Sequence, residues 1–225
     1  MAENKEGQQF DITETLSKTE HFVDQNKKSL GIIVGTVVLA IGGYLFYQNS
    51  YVAGKEKEAE TQMFAAEEYF NHDSLRLAIN GDGNRQGFEE IINSYGVSPS
   101  ANLAHFYLGI AYLRQKNYDQ AIETLKGYNA KDNITPSLAL GAIGDAYMEQ
   151  NNADQAISYY EKASKEKPNN FTTPIFMMKL ASALESKGNY KESKEVYERI
   201  KKDYAASAEA QQAEKYIARA EAMIR

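Results

Sequence analysis

An uncharged stretch near the start of the chain constrains the fold more than any other feature. No residue between positions 29 and 54 carries a formal charge, and most of the side chains are apolar or small. As a helix, its apolar centre is about 27–30 Å long, which matches the hydrocarbon core of a bilayer. Tyr44, Phe46 and Tyr47 gather at one end, and aromatic rings prefer the headgroup level. The stretch predicts a transmembrane anchor over residues 29–51, and a core helix of a soluble protein is the alternative.

The charges that flank this stretch indicate its orientation. Lys27 and Lys28 adjoin it on the N-terminal side, whereas Lys55 and Lys57 on the far side are mixed with glutamates. Because Lys and Arg are enriched in cytoplasmic loops, we expect a single-pass inner-membrane protein with its N-terminus in the cytoplasm and its C-terminal domain in the periplasm. A cleaved signal peptide is the alternative. The polar lead over residues 1–28 and the lack of a small-x-small site favour a retained anchor.

The polar lead itself supports two readings. Asp11 and Glu14 have the spacing of a helix capping box, and apolar residues then recur at near-helical intervals. The lead is either an amphipathic helix lying on the membrane surface or a disordered segment with a few apolar residues.

Three glycines of the apolar stretch share one helix face, and they are Gly31, Gly35 and Gly42. Small residues allow two helix backbones to approach closely in lipid. We therefore predict that this face is an interface with another membrane helix.

Beyond the apolar stretch the pattern is helical, without a strand pattern of useful length. We predict a helix over 56–78 and another over 87–95, which together form a degenerate hairpin over 55–95. The loop between them, residues 80–84, reads Asn-Gly-Asp-Gly-Asn. Because it lacks the glycine and glutamate of an EF-hand at the required offsets, we expect a turn there rather than a calcium site.

A period of 35 residues follows. Gly109, Tyr112 and Ala121 recur one period later as glycine, tyrosine and alanine, and a weaker third copy comes after them. The pattern resembles the tetratricopeptide repeat, in which small residues let paired helices approach and large residues fill the seam. The predicted repeats cover about 102–135, 137–170 and 174–206, with a capping helix over 207–225. The predicted repeat core is Gly109, Tyr112, Ala121, Gly144, Tyr147, Ala156, Tyr160, Pro168 and Tyr197. The expected fold is therefore all-α, with one N-terminal transmembrane helix followed by a tetratricopeptide-repeat solenoid.

In this repeat family the first helix of each repeat lines the concave side, where partners usually bind. The residues at the corresponding positions form a predicted inner wall, and they are Leu103, Phe106, Ile110, Leu113, Leu138, Asp145, Met148, Ile175 and Met178. The wall is expected to be apolar with little positive charge, which does not suit the clamp that holds acidic chaperone tails. It would suit an unfolded segment or a partner helix. Alternatively, several of these residues belong to the core.

Composition and motifs argue against several other classes of function. The net charge is −6 and there is no basic stripe, so we expect no nucleic-acid partner. The chain has no cysteine, and its three histidines lie in no metal-ligand spacing. His105 is expected in the repeat core. We predict no enzyme, no metal and no cofactor.

The whole architecture is similar to that of the YfgM-type ancillary subunit of the SecYEG translocon. The likeness is closest from Phe22-Val-Asp-Gln-Asn26 through the glycine-rich stretch to Gly43-Tyr44 and Tyr47-Gln48. It implies a protein beside the SecYEG translocon that binds a periplasmic peptidyl-prolyl isomerase and helps to pass emerging clients to chaperones. A structural scaffold in another cell-envelope complex is the alternative.

Overall fold

The computed structural model describes residues 12–224, and the surroundings of side chains from Glu20 onwards. Residues 1–11, which include Asp11 of the predicted capping box, lie outside the described residues. The described part of the chain consists of helices and turns and contains no strand. It divides into two compact units, with the boundary between Val52 and Ala53.

The first unit is one long helix, α1, over Ile12–Phe46, followed by a π-helical segment over Tyr47–Val52. Helix α1 thus begins within the polar lead, at Ile12, and continues into the apolar stretch without a break. Apolar side chains such as Ile32 and Leu39 are 70% and 78% exposed. One helix in the described residues is long and apolar enough to cross a membrane, and none of its most apolar window is buried. This is compatible with a single-pass membrane anchor.

The second unit contains ten helices in the described residues, each packed against its neighbours in the chain. Their bounds are α2 Ala53–Asn71, α3 Leu75–Asn80, α4 Phe88–Tyr95, α5 Pro99–Arg114, α6 Tyr118–Lys126, α7 Thr135–Glu149, α8 Ala153–Lys165, α9 Thr172–Ser186, α10 Tyr190–Asp203 and α11 Ala208–Ile224. Helices α5/α6, α7/α8 and α9/α10 form three hairpins, and α11 packs on α9 and α10. Three apolar clusters follow one another along this stack.

The three hairpins share one turn geometry. Lys116, Asn151 and Gly188 occupy equivalent places and have φ of +64°, +58° and +79°. In each turn the following asparagine donates its backbone N–H to a carbonyl five residues earlier, at 2.9–3.0 Å. This closure satisfies carbonyls at the end of the first helix, as a Schellman motif does.

Small residues set how closely the paired helices approach. A Cβ on Gly109 would lie 2.4 Å from Leu125 Cγ, and one on Gly144 would lie 2.6 Å from Tyr160 Cε1. Ala121 and Ala156 are fully buried. Tyr112, Tyr160 and Tyr197 are buried as well, whereas Tyr147 is only partly buried.

The assignment of Pro168 to the repeat core is wrong. Pro168 is exposed in the turn between α8 and α9. Proline lacks an N–H and excludes the helical conformation from the residue before it, and Lys167 has φ of +43°. Its part in the repeat is to keep α8 from continuing.

The prediction of one helix over 56–78 is also wrong. Helix α2 ends at Asn71 and α3 begins at Leu75, with Asp73 at φ +57° between them. The backbone N–H of Ser74 donates to Tyr69 O at 2.8 Å, which closes the end of α2. Asn, His, Asp and Ser at positions 71–74 are mediocre helix formers, and Asn and Asp tolerate left-handed geometry, so the chain turns here. The hairpin predicted over 55–95 therefore contains three helices.

Candidate binding groove

The nine residues of the predicted inner wall share one property, which is that every one of them is partly buried. They come from α5, α7 and α9, the first helices of the three hairpins. Phe106, Ile110 and Leu113 pack against the middle apolar cluster, while Leu138, Met148 and Met178 pack against the C-terminal one. Each therefore supports the core with one side and keeps part of its surface accessible.

Three of the nine residues meet in one cavity of about 550 Å³, which we call the central cavity. The three are Leu113, Asp145 and Met148, and the cavity lies between the C-terminal halves of α5, α7 and α9. Its lining residues are Leu113, Arg114, Lys116, Tyr118, Asp145, Met148, Glu149, Tyr160, Lys179, Ser182 and Ala183. The other six wall residues lie outside this lining.

An ion pair stands in the central cavity. The ammonium of Lys179 lies 2.6 Å from both carboxylate oxygens of Asp145, and the Tyr160 hydroxyl donates to Asp145 Oδ1 at 2.7 Å. About a third of each charged side chain is exposed. Burial and the neighbouring Asp145 carboxylate raise the pKa of the Tyr160 hydroxyl, so it remains a donor at all ordinary pH values. Asp145 is thus held in place from two helices.

The prediction of an inner wall with little positive charge is wrong at the central cavity, because Lys179 lines it. It lies 34 residues after Asp145, close to one repeat period, and this spacing was the signal in the sequence. Arg114 and Lys116 add two further cations to the lining. The cavity therefore combines apolar surface from Leu113 and Met148 with a charged floor.

The rim of the cavity is held by polar contacts between repeats. The Tyr118 hydroxyl donates to Glu149 Oε2 at 3.1 Å, and Gln150 Nε2 donates to Asp119 Oδ1 at 2.7 Å. Arg114 donates to Asp73 at 2.6 Å, which ties α5 to the break between α2 and α3. These contacts fix the spacing of neighbouring hairpins and hence the width of the cavity opening.

The predicted membrane-helix interface lies in α1. Gly31, Gly35 and Gly42 are all exposed on one face of the helix. Apart from the adjacent residues and the backbone of the helix itself, no atom of the described residues would lie within 4 Å of a Cβ added at any of the three. The space beside this face is open to a second helix, and the interface itself stays a prediction.

His105 lies where helices α4, α5 and α6 border a second cavity, of about 560 Å³. It is partly buried rather than central to a core, and its Nδ1 atom has no hydrogen-bond partner in the part of the chain that the structure describes. Burial lowers the pKa of its imidazole. The same cavity contains the Tyr112 hydroxyl, which donates to the Glu89 carboxylate.

The loop over residues 80–84 is a turn between helices, as predicted. The Asp82 carboxylate accepts the Tyr69 hydroxyl at 2.6 Å and the backbone N–H groups of Asn84 and Arg85 at 2.8 and 2.7 Å. These hydrogen bonds lower the pKa of Asp82 to about 2. The carboxylate thus closes the turn, and no group of side chains suited to a metal ion occurs among the described residues.

Comparison with known proteins agrees with this geometry. Two family profiles, both described as tetratricopeptide repeat, match residues 88–133 and 147–215. These helices are tetratricopeptide repeats. The repeat fold is typically a non-enzymatic scaffold that binds other proteins, so protein partners are indicated.

Solved structures show the same fold. Two structures of nearly identical TPR-like repeats from Podosopora anserina, of a protein named as a kinesin light chain, are 15% identical to this chain with a TM-score of 0.57. The match covers 74% of this chain and 86% of theirs. No curated protein matches the chain.

Proposed function

We propose that this protein is a membrane-anchored adaptor that binds a segment of a partner protein in the central cavity of its repeats. The observation that carries the proposal is the cavity itself, in which the Asp145–Lys179 ion pair lies beside the apolar side chains of Leu113 and Met148. Apolar side chains of a partner would be desolvated against these two residues. The polar floor would fix the direction of the bound segment.

The remaining wall residues extend the proposed surface. Leu103, Phe106, Ile110, Leu138, Ile175 and Met178 are partly accessible along α5, α7 and α9. Methionine side chains adapt their shape to different partners, which suits transient binding of clients.

We further propose that the partner belongs to protein export. The support is the likeness to the ancillary translocon subunit, together with a helix in α1 that is long and apolar enough to span a membrane. In this proposal α1 holds the protein in the inner membrane with its repeats in the periplasm, beside the SecYEG translocon. The repeats bind a periplasmic peptidyl-prolyl isomerase or an emerging client.

The test is to block the cavity without touching the core. Ser182 is exposed and lines the cavity, so Ser182→Arg would fill the opening. Ser186 is exposed on the same helix one turn further and lies outside the lining, so Ser186→Arg is the matched control. Full-length protein is purified in mild detergent from its own membranes, and the proteins that accompany it are quantified by mass spectrometry.

We expect Ser182→Arg to reduce partner recovery about fivefold or more, while Ser186→Arg keeps recovery within about twofold of the parent protein. Equal recovery with both variants would contradict binding in the cavity. Recovery of SecYEG and an isomerase with the parent protein would support the export role. A constant set of other envelope proteins without the translocon would contradict it in favour of a scaffold.

A further inference from the structure

Three apolar residues lie exposed between consecutive hairpins. Val97, Ile134 and Phe171 are spaced 37 residues apart, and they are 46%, 43% and 63% exposed. Each comes shortly before the first helix of a hairpin, namely α5, α7 and α9. A single exposed apolar residue needs no explanation, but three in corresponding turns, one or two residues before a helix, form a pattern.

These turns and the helix ends that lead into them form one continuous border, joined by hydrogen bonds and by a shared cavity. We call it the turn edge and define it as residues 96–98, 126–134, 162–171 and 201–207. Asn102, at the start of α5, exchanges two hydrogen bonds with the backbone of Asn129, at 2.8 and 3.0 Å. The ammonium of Lys167 donates to the carbonyls of Lys131 and Asp132 at 2.5 and 2.7 Å. Asn170 and residues 203–207 border a common cavity, so the last turn adjoins the same edge.

The chain also enters the repeat unit at this edge. The carboxylate of Glu56 accepts the backbone N–H of Ser100 at 2.9 Å and its hydroxyl at 2.8 Å, next to the turn that contains Val97. The Lys55 ammonium lies 5.2 Å from the centre of the Tyr95 ring. Glu56 is four residues after Val52, and four residues reach at most about 14 Å. Residue 52 therefore lies no more than about 14 Å from Glu56, and a surface that contacts residue 52 lies close to this edge.

Charge is distributed unevenly between this edge and the rest of the domain. The turns and the helix ends that lead into them, residues 126–134, 162–171 and 201–207, carry seven lysines and three carboxylates. At the opposite ends of the helices, residues 114–119, 149–154 and 185–192 carry four basic and five acidic residues. The turn edge is thus a basic border with exposed apolar side chains on an otherwise acidic domain.

We infer that the turn edge rests on an anionic bilayer surface, with Phe171, Ile134 and Val97 at the level of the lipid headgroups. Lysines near such a surface are attracted to acidic lipids, and apolar or aromatic side chains enter the interface beside them. The inference rests on the membrane anchor proposed above, because the anchor keeps this edge within reach of the bilayer. Contact along the edge would leave the central cavity open at the opposite helix ends.

The chain contains no tryptophan, so one introduced tryptophan reports its own surroundings. Phe171→Trp places the probe on the turn edge. Met223→Trp is the matched control, because Met223 is 56% exposed near the end of α11. That end lies away from the turn edge, since Arg219 and Glu221 contact Glu185 in α9 and Lys194 in α10. Both full-length variants are reconstituted into vesicles of about one part phosphatidylglycerol to three parts phosphatidylethanolamine with brominated acyl chains.

Flotation and resistance to carbonate extraction first establish that the protein is inserted. Failure at this step would contradict the anchor, and with it the basis of the inference. For inserted protein we expect the fluorescence at position 171 to be quenched about twofold or more relative to position 223, with a blue-shifted emission. Equal quenching at the two positions would overturn the inference while leaving the anchor intact, and the edge would then be assigned to a protein neighbour.

A second variant tests the contribution of charge. Lys131→Glu with Lys202→Glu removes the net positive charge of the edge, and both side chains are exposed. In the Phe171→Trp background this change should reduce the quenching by about half in the acidic vesicles. Unchanged quenching would overturn the assignment of an anionic surface.

Discussion

The glycines of α1 and those of the repeat helices lie in different surroundings. Gly31 and Gly35 have open space beside them, whereas a Cβ at Gly141 would lie 1.8 Å from the Phe176 ring. The apolar residues differ in the same way, since Ile32 is 70% exposed and Ile143 is 2% exposed. Glycine and isoleucine thus lie on the surface in the first unit and in the interior in the second.

The comparison shows that the structural role of a small residue depends on the side chains that surround it. In the repeats, the missing Cβ lets a side chain from a neighbouring helix fill the space, and the contact is already made within the chain. In α1, the same missing side chain creates a shallow face that this chain does not fill among its described residues. If α1 lies in lipid, that face is available to another helix.

The largest expected effect comes from filling the space at Gly141. Phe176 is 3% exposed, so its ring has little room to move away from a new methyl group. We expect Gly141→Ala to lower the free energy of unfolding by about 1–3 kcal/mol, although alanine improves helix propensity by about 1 kcal/mol. Urea unfolding of the full chain in detergent, followed by circular dichroism, measures the change.

Gly54→Ala is the control for that experiment, because a Cβ at Gly54 in α2 would meet no described atom within 4 Å apart from the adjacent residues and the backbone of its own helix. This variant should be as stable as the parent protein or more stable by up to about 1 kcal/mol. If both variants had the same stability, the packing argument at Gly141 would fail.

A smaller and different effect is expected at Gly35. Gly35→Leu should leave the unfolding of the repeat domain unchanged, because this glycine lies in the other compact unit. It should reduce the recovery of co-purifying membrane proteins about threefold or more if the glycine face meets another helix. Gly43→Leu changes a glycine on another face of α1, and this variant should retain the co-purifying membrane proteins. Equal recovery of these proteins with both variants would contradict the predicted helix interface.

The smallest effect is expected at His105, and it depends on pH. Burial lowers the pKa of His105 in the folded protein, while the unfolded chain has the usual value of about 6.5. Below that pH the unfolded state takes up the proton first, so stability is complete above about pH 6.5 and is lost as the pH falls towards the folded pKa. His105→Gln should flatten this dependence in urea midpoints measured between about pH 7.5 and 5.5.

His72 is exposed in the turn after α2, so His72→Gln is the control for that series. It should preserve the pH dependence of the parent protein. A His105→Gln variant with the parent's dependence would show that another group is responsible.

Much of the repeat could be predicted from residue spacing. The recurrence of Gly109 and Ala121 after 35 residues identified the positions where paired helices approach, because only small residues fit there. The turns at Asn117 and Gly188 were also predictable, since helices of this length need a polar or left-handed residue to end. Pro168 occurs only in the second copy, where it matches the pattern of the repeat family, yet such a match does not tell whether a residue is buried or ends a helix.

The central cavity and the turn edge were less predictable. Lys179 meets Asp145 because α7 and α9 lie side by side, and nothing in either helix alone indicates the pair. Likewise, Val97, Ile134 and Phe171 read as isolated apolar residues in polar turns. Their equal spacing of 37 residues is present in the sequence, but only hydrogen bonds such as Lys167 to Lys131 show that the turns share one edge.

The sequence by itself determined the helical class, the uncharged stretch that suits a membrane and the repeat period. These properties depend on hydrophobic patterns within a single helix or on the distance between similar residues along the chain. Only the tertiary structure decided which cations enter the cavity and which turns share an edge. These features depend on side chains that are about one repeat apart in the chain and meet through packing, so no local pattern records them.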